Sequence, residues 1–184
     1  MKYYIDIRVL PDPEFSTSVL MNALFAKLHR ALVMTGQGKI GVSFPQAQKT
    51  LGDSIRLHGS QGALQRIMET NWLRGLSDYT HVSSITTVPD NCRYRVVDRV
   101  HAKSSVERMY RRSVKNGRLT AEEAEIRMSA GKEQHLKLPF VQLKSQSTEQ
   151  AFRLFIQQGK LLDTPVEARF SAYGLSGVGT IPWF

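Results

Sequence analysis

The sequence predicts an α+β fold, on three observations. Several short stretches alternate apolar and polar residues, the period of a strand. Two longer stretches carry apolar residues at helical spacing instead. Clusters of Gly, Pro, Asn and Asp separate them, as turns require.

The elements follow in order. Tyr3, Ile5, Ile7 and Val9 alternate with Tyr4, Asp6 and Arg8, which gives a first strand ended by Pro11-Asp12-Pro13. Leu20, Ala23, Leu24, Leu28, Ala31 and Leu32 follow helical spacing, with Ser18 as N-cap and Gly36-Gln37-Gly38 as the stop. Ile40, Val42 and Phe44 form a second strand, and Ile55 and Leu57 a short third. Gly62 to Met68 is a second helix with Ala63, Leu64, Ile67 and Met68 on its apolar side, and Tyr79 to Val88 a fourth strand. That order, βαββαβ, is the ferredoxin-like arrangement, an antiparallel sheet with two helices on one face.

Thr87-Val88-Pro89-Asp90-Asn91 has turn chemistry and sets the boundary between a first domain, 1–90, and a second, 91–184. The second opens on a strand near Arg93 to Ala102. A short helix over 105–116 follows, then another helix opened by a capping box at Thr120 to Glu123. Further strands are expected at Phe140 to Lys144, Ala151 to Gln157 and Arg169 to Tyr173, with Pro139 and Pro165 in loops. The second half shows no clean repeat of the first.

Charge singles out the helix over 105–116. The chain has 184 residues and a formal net charge of +9. Between Cys92 and Arg118 stand nine Lys or Arg against two acids, so most of the excess is local. Ser104 and Glu107 have capping-box spacing, and Asn116-Gly117 supplies a stop. Arg108, Arg111, Arg112 and Lys115 fall at i, i+3, i+4 and i+7, on one side. Val106, Met109, Tyr110 and Val114 fall largely on the other. A charge run is most often a solvated face, but such faces mix signs, and Glu107 is the only acid between Lys103 and Arg118. A polyanion-binding ridge is the better reading. A membrane-surface helix is disfavoured, because the apolar side lacks the Trp, Leu and Phe such helices use.

Several function classes drop out. Cys92 is the only cysteine, so it has no intramolecular disulfide partner and a Cys-based zinc site is not expected. No apolar run approaches the roughly 20 residues that cross a bilayer, and Asp6 interrupts the N-terminal apolar stretch, so a cytoplasmic protein is expected. The five histidines, 29, 58, 81, 101 and 135, form no i, i+4 pair. Glu122, Glu123 and Glu125 are explained by the preference for acids at a helix start. No phosphate-binding glycine loop of the GxxxxGK type exists, and the glycines of Gly174-Leu-Ser-Gly-Val-Gly-Thr180 read as a tight turn.

What remains is chemistry without a metal. RNA carries its own nucleophile, the 2′-hydroxyl, and a histidine is the natural base for it. His29 lies about 100° around the first helix from Leu28, with Phe25 one turn back, but spacing alone does not raise it above His58 or His135. Ser145-Gln146-Ser147-Thr148 is either a polar turn or a place for sugar and phosphate groups. In the strand that follows, Phe152 and Phe155 point to opposite faces. One exposed beside basic residues would be a base-stacking platform.

At this point the residues resemble a known family. DIRVLPDPEF, ALFAKLHRAL with His29, IGVSFP, RVHAKSSVERMYRR, LPFVQLKSQSTEQAFRLFI and YGLSGVGTIPWF together are similar to the CRISPR repeat-processing endoribonucleases of type I-F systems, over the whole length. The resemblance implies a ferredoxin-like N-terminal domain and a diverged second domain bearing the arginine-rich helix. It implies an enzyme that grips a repeat RNA hairpin in pre-crRNA and cuts at its 3′ base without metal or cofactor, leaving a 2′,3′-cyclic phosphate and a 5′-hydroxyl. It also implies a monomer when free, which keeps its crRNA and joins the other subunits of a surveillance complex.

By position, His29 matches the catalytic histidine, Ser145 the serine that orients the attacked ribose, and Tyr173 a supporting active-site tyrosine. Arg99 matches a residue that reads a guanine near the hairpin base, and Phe152 the aromatic stacked under the terminal base pair. Arg112 and its neighbours match the helix that enters the stem's groove. His101, Lys103, Ser104, Arg108, Arg111, Lys115 and Ser147 complete the expected RNA contacts. Some positions depart from the family pattern. His101 replaces a Gln that reads a base, Lys115 and Asn116 replace two arginines, and Lys144 replaces an Arg before the serine. Lys keeps the charge but loses bidentate geometry, so base preference at the stem foot is expected to differ. The competing reading is an RNA-hairpin-binding subunit of the same fold with no catalysis.

Overall fold

β1 (Tyr3–Val9) alternates as its sequence does, burying Ile5, Ile7 and Val9. The computed structural model describes residues 1–100, 114–117, 120, 122–123, 137–145 and 148–184. α1 (Thr17–Ala31) follows and continues as a π-helical turn over Leu32–Gly36. Next come β2 (Gly41–Ser43), β3 (Ser54–Gly59), α2 (Gln61–Glu69), β4 (Thr80–Val82) and β5 (Thr86–Thr87). β6 (Arg93–Val100), β7 (Phe140–Lys144), β8 (Ala151–Leu162) and β9 (Thr180–Trp183) complete the described strands. No described helix is long and apolar enough to cross a membrane.

Contacts divide the chain into two units, one of Met1–Val100 with Leu138–Phe184, the other His101–Lys137. The first holds two antiparallel sheets. One has the order β2-β3-β1-β4, with β5 also paired to β1. The other has the order β7-β8-β6-β9. The core runs through both. Ile5, Ile7, Ile55 and Leu57 come from the first sheet, Val97, Val141, Leu154 and Ile156 from the second, and Leu24, Phe25 and Leu28 from α1. At about 25 cal/mol per Å², this continuous apolar interior is the main force holding the helices to the strands.

Four details depart from the sequence expectation. α1 starts earlier, with Ser16 rather than Ser18 at the N-cap, in extended conformation. The Ser16 carbonyl accepts from Val19 and Leu20, so Thr17 and Ser18 are already helical. The fourth strand splits into β4 and β5. Ser83 Oγ accepts from the Asp6 amide at 3.0 Å and donates to the Ser84 carbonyl at 2.9 Å, local bonds that compete with a ladder.

Arg169–Tyr173 is not a strand. The Ser171 amide donates to the Leu175 carbonyl, and the Gly174 amide to the Ser171 carbonyl, so the segment folds back on itself. β9, unexpected from the sequence, pairs with β6 from Arg93↔Trp183 to Val96↔Thr180. It lies at a sheet edge, where a proline such as Pro182 is tolerated in a strand.

In the second unit the described residues are few. Thr120 and Glu123 form the expected capping box: the Thr120 amide donates to Glu123 Oε2 at 2.9 Å and the Glu123 amide to Thr120 Oγ1 at 3.2 Å. Val114 and Lys115 are helical, and Gly117 ends that turn with φ 67°, the left-handed conformation that suits glycine.

Candidate active site

Burial separates His58 from His29, and His135 lies outside the described residues. His58 is fully buried on β3, its Nε2 2.8 Å from Ser43 Oγ. Desolvation, then the nearby Arg56 charge, push its pKa down to about 3. It is a neutral core residue that no substrate can reach. His29 is only half-buried.

α1 carries His29, and Tyr173 stacks on the imidazole. Phe25, four residues back and so on the same face, is fully buried. The Tyr173 ring lies nearly parallel to both, 6.3 Å from Phe25 and 4.2 Å from His29 between centroids. Asn22, seven residues before His29 and also on that face, accepts the Gln142 amide of β7 at 2.9 Å. The helix face that carries the imidazole is thus docked on the second sheet.

The imidazole is also oriented. His29 Nδ1 lies 2.9 Å from the Ala172 carbonyl. A carbonyl only accepts, so Nδ1 must carry the proton. The neutral ring therefore has its lone pair on Nε2, a base of defined direction.

The carbonyl is held by a built turn. Ser171 Oγ accepts the amides of Tyr173 and Leu175, each at 3.3 Å. Gly174 has φ 71°, and its carbonyl accepts the Val42 amide at 2.8 Å. Sequence reasoning missed Ala172 because a main-chain acceptor leaves no side-chain signature; the glycine two residues on was the only trace.

Arg99, half-buried on β6, extends the cluster. Its guanidinium lies 5.5 Å from the Tyr173 ring and 5.8 Å from the Phe152 ring, both in cation–π range. Phe152 is half-buried on β8, whereas Phe155 is core and packs against Phe140 at 5.5 Å. Of the two strand phenylalanines, Phe152 is the one that keeps an accessible edge. His29, Tyr173, Arg99 and Phe152 therefore form one connected aromatic and cationic surface.

Ser145 follows β7 directly and is half-buried. Its amide donates to the Gln150 carbonyl at 2.9 Å, and its Oγ accepts the Thr148 amide at 3.3 Å. Leu143 pairs with Phe152 across the ladder, so Ser145 and Phe152 lie at the same end of the β7–β8 pair. Lys144 is exposed, 3.7 Å from Glu149. Lys115 is exposed in the second unit. His101, Lys103, Ser104, Arg108, Arg111, Arg112 and Ser147 lie outside the described residues. Among the described residues no three His, Cys, Asp or Glu side chains gather as a metal site.

Comparison with known proteins gives this surface a context. A family profile described as CRISPR-associated protein (Cas_Csy4) matches residues 4–184. A CRISPR-associated endonuclease Cas6/Csy4 of Escherichia coli (strain UTI89 / UPEC) is 53% identical over 184 residues, covering all of both chains. The protein of the same description from Pseudomonas aeruginosa (strain UCBPP-PA14) is 46% identical over 187 residues, again covering both completely. A profile match from the first strand to the last residue, with two full-length relatives of such identity, leaves one assignment: the chain belongs to the Cas_Csy4 family of CRISPR-associated proteins.

Proposed function

We propose that this chain is a metal-independent endoribonuclease that cleaves CRISPR repeat hairpins in pre-crRNA at the 3′ base of the stem. The observation that carries the reading is the His29 imidazole, stacked on Tyr173 and bound through Nδ1 to the Ala172 carbonyl, which leaves Nε2 as a directed base. The names of both relatives, endonucleases of CRISPR systems, support the same reading.

In this mechanism His29 Nε2 removes the proton of the 2′-hydroxyl on the nucleotide 5′ of the cut. The freed oxygen attacks the adjacent phosphorus. The bond to the 5′ oxygen of the next nucleotide breaks, and that oxygen takes a proton from solvent. A 2′,3′-cyclic phosphate and a 5′-hydroxyl result. Ser145 orients the attacked ribose, and Tyr173 keeps the imidazole plane fixed. Orientation of this kind is worth as much as proton transfer itself, because it converts a search into a near-attack geometry.

Arg99 and Phe152 grip the foot of the stem, one as a donor pair and one as a stacking surface. Arg108, Arg111, Arg112 and Lys115, with His101, Lys103, Ser104 and Ser147, hold the phosphates and base edges along it. None of these does proton chemistry, so binding survives the cut and the product stays on the protein, which then serves as a subunit of a type I-F surveillance complex in the cytoplasm.

The order β2-β3-β1-β4, built from elements in the sequence βαββαβ, supports a ferredoxin-like first domain over 1–90. Residues 91–184 would then be the RNA-binding half.

The test is cleavage of the cognate repeat hairpin in EDTA, with and without a 2′-deoxy sugar 5′ of the cut. The expected result is full cleavage of the normal substrate and none of the deoxy substrate, with equal binding. Cleavage of the deoxy hairpin would sink the mechanism, and strict dependence on added metal would sink the metal-free reading.

A further inference from the structure

Tyr173 has two functional neighbours. Its ring stacks on the His29 imidazole, 4.2 Å between centroids and 14° from parallel. The Arg99 guanidinium lies 5.5 Å from the same ring, and 5.8 Å from the Phe152 ring. One aromatic side chain therefore adjoins both the arginine assigned to the stem foot and the base assigned to the cut.

The state of Arg99 sets it apart. The residue is half-buried. Two other half-buried arginines also lie over rings, and both are occupied. Arg56 lies over Tyr4 and Phe184, and donates to Asp6 at 2.7 and 2.9 Å and to the Phe184 carbonyl at 3.2 Å. Arg95 lies over Trp183 and donates to Gln158 Oε1 at 2.8 Å. Among the described residues the Arg99 guanidinium donates to no carboxylate, amide or carbonyl, and the two rings are its partners. It has the stacked arrangement of Arg56 with its fork of donors left open. Donors partly withdrawn from water favour an acceptor in their own plane.

The backbone around these contacts is held. The Ser176 amide donates at 3.0 Å to the carbonyl of Val97, two residues before Arg99 on β6. Ser176 Oγ accepts the Gly179 amide at 2.8 Å. A Cβ at Gly177 would lie 3.1 Å from Asp98 Oδ2. The segment that carries Ala172 and Tyr173 is thus seated against β6 beside Arg99. With both backbones fixed, the guanidinium and the ring are the parts left to adjust.

We propose that Tyr173 couples recognition to cleavage: the RNA contact that fixes Arg99 against the ring also fixes the His29 imidazole, and so sets the rate of the chemical step as well as the grip on the stem. The inference rests on the nuclease reading above. An acceptor at the stem foot that matches the donor fork keeps the guanidinium flat on the rings. A mismatched one leaves partly buried donors unpaired, and they turn toward water. Tyr173 then loses a neighbour that confines its ring, and the imidazole points at its target for a smaller part of the time. Discrimination of this kind is expressed in the transition state and not in binding alone.

The test is a double-mutant cycle between Arg99→Ala and Tyr173→Leu on the cognate repeat hairpin. It is read as hairpin affinity and as single-turnover cleavage with protein in saturating excess. In the wild-type background Arg99→Ala should weaken binding and also slow saturated cleavage about tenfold, within the range for residues that share a network. In the Tyr173→Leu background it should still weaken binding but change the saturated rate about twofold or less. Tyr173→Phe keeps the ring and should keep the response of about tenfold. Tyr173→Met takes the place of the leucine variant if that one does not fold. A saturated rate indifferent to Arg99→Ala would overturn the inference and leave the nuclease reading intact. Equal losses in both backgrounds, as a ring that only fills space would give, would do the same. A wild-type chain that cuts no repeat hairpin would remove the nuclease reading, and this inference with it.

Discussion

Gly174 faces Val42 so closely that a methyl group added at residue 174 would overlap Val42 Cγ2. The same glycine holds φ 71°, and its carbonyl accepts the Val42 amide. The turn that presents the Ala172 carbonyl to His29 is thus pinned to β2 at a point that admits no side chain.

Gly174→Ala should therefore cost stability and catalysis together. The steric clash and the positive φ each disfavour alanine, for a combined loss of about 2–4 kcal/mol. Thermal unfolding should show a drop of several degrees, and single-turnover cleavage should slow even below the melting range. Adding Val42→Ala relieves the clash but not the φ strain, so it should restore only part of both. An alanine variant with native stability and rate would show that the turn is not held as described.

His58 should make the fold sensitive to acid. Its pKa is about 3 in the fold, against an ordinary value of 6.5, because burial and Arg56 disfavour the imidazolium. The unfolded chain binds that proton more readily. The stabilisation is therefore complete above about pH 6.5 and is lost as pH falls toward 3, with a slope up to about 1.4 kcal/mol per pH unit. His58→Gln should flatten urea-unfolding stability between about pH 6.5 and 4, although its stability at neutral pH is lower. An unchanged slope would place the acid sensitivity elsewhere.

His29→Ala should lower the cleavage rate by about 10²–10⁴, the usual worth of a general base, and leave hairpin affinity nearly intact. Ser145→Ala should also slow cleavage with little loss of binding. Gel-shift affinities measured beside the rates check this division, and a His29→Ala protein that cuts normally or has lost its RNA would overturn it.

Replacing Arg108, Arg111, Arg112 and Lys115 with Ala should weaken RNA binding and flatten its salt dependence. Every phosphate that is no longer neutralised lowers the slope of log K against log salt by roughly 0.7–0.9. A quadruple variant with the wild-type slope would mean that this ridge faces away from RNA.

What the sequence revealed follows from which forces leave a periodic trace. β7 begins and ends where alternation places it, at Phe140 and Lys144, because one face of that strand is buried and the other is not. α2 was equally legible from Ala63, Leu64 and Ile67. Arg169–Tyr173 misled because alternation there competes with Ser171, whose hydroxyl captures two amides and bends the chain. β9 was hidden by Pro182 and by the glycines before it.

At the site, spacing could not separate His29 from His58. The difference is one of burial, set by which helix or strand face meets the core. Resemblance supplied Tyr173, Arg99 and Phe152 as names. Their mutual contacts, with Arg99 between two rings, come only from the folded chain.

The bond that orients His29 comes from the main chain of Ala172, and this divides constraint unevenly along three neighbouring positions. Any side chain that leaves the backbone undisturbed can occupy residue 172, which is exposed, and still present the same carbonyl. Residue 174 contributes no side chain and tolerates almost none. Among variants of this protein, position 172 should drift freely while 174 stays glycine, and a scan that replaces side chains one at a time would score residue 172 as dispensable although its carbonyl sets which nitrogen of the imidazole is free to act.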